Sequence, residues 1–135
     1  MNRALSLALA ALASASWAGC GHREFHLSGT VTIASVLQRK VPRDNTVMFI
    51  IAKNRGGVPV AVQRIVNPHF PVKFILGPDD LIVPEPPSDM PLRIEVEMNM
   101  HGALGRPQPG DLQGRHLNLV YPGERRVHIV VDHQV

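Results

Sequence analysis

The residues of this chain best suited to chemistry gather between positions 95 and 101, in the run Glu95-Val96-Glu97-Met98-Asn99-Met100-His101. Thioether and imidazole donors suit Cu(I), so Met98, Met100 and His101 form a candidate copper-ligand set. Met90, His69 and His22 are further donors that could join it. The competing reading is packing. Methionines at the inward positions of a strand fill cores, because the unbranched thioether adapts to irregular gaps. Glu95 and Glu97 stand two apart, hence on one face of a strand. A pair of carboxylates does acid–base work if one is buried and shifted. A solvated strand face with Arg93 as neighbour is the simpler account. Asp79-Asp80 follows Gly77-Pro78 and reads first as a turn.

Other chemistries leave no trace. The seven histidines are spread along the chain, and the single cysteine gives no zinc-binding spacing with them. No glycine-rich phosphate loop precedes a helix. No Ser–His–Asp grouping is legible, since such a triad is assembled in space. Neither an enzyme nor a cofactor is expected. The net charge is only +3, and the Lys and Arg residues are scattered apart from Arg39-Lys40 and Arg125-Arg126. A nucleic-acid binder needs a clustered basic patch with interleaved aromatics, so no nucleic-acid partner is expected.

The elements that must position these residues read as strands. Phe25 to Ser35 alternates, with Phe25, Leu27, Gly29, Val31 and Ile33 on one face and polar residues on the other. Val36 to Asn45 is a connection. Thr46–Lys53 is the most apolar run and suits a central strand, and Asn54-Arg55-Gly56-Gly57 turns it into Val60–Val66 as a hairpin. Val72–Leu76 is a short strand. A stiff, proline-rich connection follows to Pro91, and its 84–91 part could shield a sheet edge. In Leu92–Met100 the residues Leu92, Ile94, Val96, Met98 and Met100 point inward. His101–Gly114 reads as loop. Leu117, Leu119 and Tyr121 open another strand, and Arg126–Asp132 ends the fold. His128 and His133 fall on surface or edge positions of that last strand. About seven strands with turn signals between them predict an all-β fold, an antiparallel β-sandwich.

The N-terminus bears on compartment. Arg3 precedes the apolar run Ala4–Ser16, which is shorter than the ~20 residues a spanning helix needs. This is the pattern of a secretory signal. Trp17-Ala18-Gly19-Cys20 resembles a bacterial lipobox, with Trp17 where leucine is usual. Ordinary cleavage after Ala18 is the alternative. The lipobox reading makes residues 1–19 a lipoprotein signal and 20–135 one domain, anchored to a membrane by lipid on Cys20. Gly21 after it leans towards the outer membrane. Without Arg3 the chain holds 13 Lys and Arg against 11 Asp and Glu, so no basic face is implied.

From Gly29 to Asp132 the chain resembles the C-terminal periplasmic domain of CycH-type cytochrome c biogenesis proteins. The resemblance runs through GTVTIASVLQRKV at 29–41 and DNTVMFIIAKNRGGVPVAVQRI at 44–65. It continues in FPVKFILGPDDLIVP at 70–84, GDLQG at 110–114 and YPGERRVHIVVD at 121–132. The resemblance implies an immunoglobulin-like domain in the periplasm. It also implies an accessory, non-catalytic role, binding an apocytochrome c or a protein of the assembly machinery during haem attachment. The two most telling pieces hold Arg64, Phe70, Asp79 and Asp80, which become the candidate partner-binding residues. Arg64 could instead pair with Glu95 or Asp79 across strands. In the family this domain follows membrane-spanning helices and a helical-repeat domain. Here a signal stands in their place, and Glu95–His101 replaces a basic, serine-containing segment.

Overall fold

The computed structural model describes residues 23–135, so the expected signal segment and Cys20 lie outside the described residues. Its strands are β1 (Leu27–Ile33), β2 (Val47–Lys53), β3 (Pro59–Val66), β4 (Val72–Leu76), β5 (Arg93–Asn99), β6 (Leu112–Arg115) and β7 (Val127–Gln134). Two short 3₁₀ turns, Ser35–Lys40 and Pro78–Asp80, are the helical elements among the described residues. The all-β expectation therefore holds.

The seven strands form one sheet in the order β3-β2-β5-β6-β7-β1-β4. The expected β-sandwich is not confirmed by this order, which is that of one nearly barrel-like sheet. The hydrogen bonding runs through every neighbour, and the sheet curls until its two edges approach. There the segment after β4 crosses to β3: Ile82 N–H donates to Val60 O at 3.0 Å, and Ala61 bridges Leu81. The pairing is not wholly antiparallel either. β1 runs antiparallel to β4 but parallel to β7.

The interior of the curl is the core. Phe25, Leu27, Ile50, Ile94, Met98 and Ile129 are among its fully buried side chains. Alternation explains most strands: in β4 Val72, Phe74 and Leu76 are buried and Lys73 and Ile75 exposed. β2 differs, because six of its seven residues are buried. Met48, Ile50 and Ala52 join the main core, while Val47, Phe49 and Ile51 cluster with Val62 on the other face. Its continuous apolar run is the sequence of a strand buried on both sides.

Two stretches depart from the sequence reading. Leu112–Arg115, expected as loop, is β6, paired on both sides by β5 and β7. Gly114 suits that place, since a Cβ there would lie 2.2 Å from Val130 O. Leu117–Tyr121, expected as a strand, is a loop, with an isolated bridge between Val120 and Leu92, the residue before β5. Leu117 is 93% exposed, so its alternation with Leu119 does not mark a buried face.

Candidate functional site

Arg64 stands on β3, at one edge of the sheet. Asn67 N–H donates to Thr46 O, and the register pairs Phe49 with Arg64. In an antiparallel ladder hydrogen-bonded and non-bonded pairs alternate, so the backbone N–H and C=O of Arg64 and Val66 point away from β2. Leu81 and Ile82 cover β3 only at Val60 and Ala61. The shielding expected of residues 84–91 thus falls to the residues just before them. The Arg64 side chain is exposed and shares the outer face with Phe49 and, one strand further, Glu97. The pairing considered with Glu95 goes to Lys53 instead, whose Nζ lies 2.6 Å from Glu95 Oε2.

The other candidate partner residues lie apart from Arg64. Phe70 is half-buried and packs against the core. It lines a groove of about 540 Å³ with Ile33, Val41, Pro42, Arg43 and His69. Asp80 Oδ2 accepts from Gly77 N–H at 2.8 Å and so serves the turn, while Asp79 is exposed.

The Met/His segment is divided by burial. Met98 is in the core. Met100 lies beyond β5 and is 60% exposed, which corrects its expected inward position. Asn99 causes the break: its side chain accepts from Gly102 N–H and donates to Ala103 O, turning the chain out of the sheet. His101 Nε2 lies 3.0 Å from Asp111 Oδ2. Exposed donors for a soft metal are therefore Met100 and the remaining ring nitrogen of His101. Among the described residues no three His, Cys, Asp or Glu side chains gather into a metal-binding group.

Glu95 and Glu97 are half-buried rather than fully solvated. With Gln113, Arg115, Asp132 and His133 they line a groove of about 510 Å³ across β5, β6 and β7. Burial pushes the Glu97 carboxyl above its ordinary value of 4.5; Lys53 opposes the rise, and Glu95 and Asp111 add to it. Such a carboxyl can hold or release a proton in this groove. The sequence reading named neither Lys53 nor Arg115 here. Lys53 was legible, because it continues the outward face of Phe49 and Ile51, four and two residues before it. Arg115 was not, because it arrives on the unrecognised β6.

Comparison with known proteins follows the same residues. The family model for the cytochrome c-type biogenesis protein H Ig-like domain matches residues 27–132. An uncharacterized protein of Aquifex aeolicus (strain VF5) is 29% identical over 94 residues, which is 69% of this chain and 62% of that protein. The chain thus matches less than two thirds of that relative's length. No solved structure matches.

Proposed function

The chain belongs to the family of the cytochrome c-type biogenesis protein H Ig-like domain, and from that premise we propose a non-catalytic accessory domain of cytochrome c maturation that binds a polypeptide. The polypeptide is an apocytochrome c or a protein of the assembly machinery. The observation that carries this reading is the family match, which runs from the first strand to the last. The open edge of β3 at Arg64 and Val66 supports it, because unpaired backbone groups on a sheet edge accept an added strand. On this reading the protein works in the periplasm, held to the outer or inner membrane by lipid on Cys20. Cys20→Ser is expected to release it from the membrane fraction, and its retention there would contradict the anchor.

The reading is tested by titrating the purified, dye-labelled protein with haem-free and haem-loaded c-type cytochrome. Saturable binding that prefers the haem-free form is expected of an apocytochrome binder. Failure to bind either form, together with normal covalent haem in periplasmic cytochromes of a deletion strain, would remove the assignment.

A further inference from the structure

The edge opposite β3 carries a different surface. β4 pairs with β1 on one side and closes the sheet order on the other. On the outer face of β4, β1 and β7 lies a groove of about 470 Å³. Gly29 lies in it, where a Cβ would run into Val127 O at 1.8 Å, so no side chain can stand at that position. The polar rim is Lys73, Arg125, Arg126 and His128, and no carboxylate lines it. Lys73 and His128 both register with Thr30, one on each side, and so form a row across three strands. Neighbouring strands are about 4.8 Å apart, which puts the two ends of that row roughly 10 Å from each other. Lys73, Arg125 and Arg126 are exposed, and none is in an ion pair among the described residues. Ile75, beside them on β4, is 58% exposed.

We infer that this groove docks an extended, acidic segment of a partner polypeptide, one in which acidic and apolar residues alternate. Three permanent cations around one groove repel each other, and an anionic partner relieves that repulsion. β4 gives the shape, since a segment laid along an edge strand presents side chains to one face about every 6.7 Å. That spacing is also the one between Lys73 and Ile75, two apart on β4, so an acid and an apolar group can meet them in turn. No exposed aromatic lines the groove for a nucleic acid base to stack on. The inference takes from the proposed function only that the partner is a polypeptide, and it does not use the β3 edge.

The test is fluorescence anisotropy of a dye-labelled peptide of alternating Glu and Val against the purified chain, with the matching Lys and Val peptide as comparison. Saturable binding of the Glu peptide alone is expected. It should weaken about tenfold in the variant Lys73→Gln, Arg125→Gln, Arg126→Gln, and fall with added salt. Arg55→Gln, an exposed arginine in the turn after β2 and outside the groove, should leave it unchanged. The three side chains are exposed, so the fold is expected to hold. If the triple variant melts early, Lys73→Gln alone should still weaken binding measurably. Equal binding of both peptides, or full affinity in a folded triple variant, overturns the inference. So does binding of phosphatidylglycerol vesicles without the peptide. Loss of this site with apocytochrome binding retained would leave the proposed function standing.

Discussion

Glu97 shows how one side chain couples the groove to stability. Burial raises its carboxyl above 4.5, so the folded state holds that proton more tightly than the unfolded chain does. The resulting stabilisation is present in full below pH 4.5 and is lost as pH rises through the raised folded value. At neutral pH the ionised carboxylate carries a burial cost. Glu97→Gln removes the charge and keeps the shape. Thermal melts should show it close to the parent protein at pH 3.5 and more stable at pH 7; an equal margin at both pH values would contradict this. Gly29 acts through sterics instead. Gly29→Ala must displace the Val127 backbone, and overpacking of that kind costs about 1–3 kcal/mol. Gly77→Ala meets nothing within 4 Å and is the matched control. Urea unfolding of both variants measures the difference, and equal midpoints would dismiss the close contact at Gly29.

At the scale of elements, β3 is the strand whose role can be isolated. The N–H of Arg64 faces away from β2, so proline there removes no bond of the ladder. Arg64→Pro should keep the fold, by circular dichroism, yet abolish capture of any segment that adds to this edge. Undiminished apocytochrome binding by the folded variant would move the contact elsewhere. The elements also show where sequence patterns are reliable. β2, β4 and β5 were legible, because apolar runs and period-two alternation follow directly from burial on two faces or one. β6 was not. Its Leu112-Gln113-Gly114-Arg115 offers one apolar side chain, Leu112, and the other inward position is Gly114, required by the nearness of β7 rather than by any local preference. Met100 carried the right period but fell past the end of β5, where Asn99 turns the chain.

For the molecule as a whole, the seam decides the shape. The backbone bond from Ile82 N–H to Val60 O and the Ala61–Leu81 bridge tie the edge strand β3 to the segment that follows the other edge strand, β4. Ile82→Pro deletes that donor while removing little packing, since Ile82 is 60% exposed. The loss should be on the order of 1 kcal/mol. Hydrogen exchange should quicken along the edges β3 and β4 more than in β6 and β7, which are paired on both sides. Uniform exchange across the sheet would show that the seam does not hold the edges together.

The sequence by itself determined the all-β class, most strands and their inward residues, because burial against one core imposes a period that local residues must obey. The collinear pieces from Gly29 to Asp132 also pointed to the family that the matched residues establish. Only the tertiary structure decided that seven strands close into one curled sheet, that β1 pairs parallel with β7, and that Met98 and Met100 part company. It also decided that Arg125 and Arg126 join Lys73 and His128 around one groove. Those outcomes depend on contacts between residues far apart in the chain, and no local spacing encodes them.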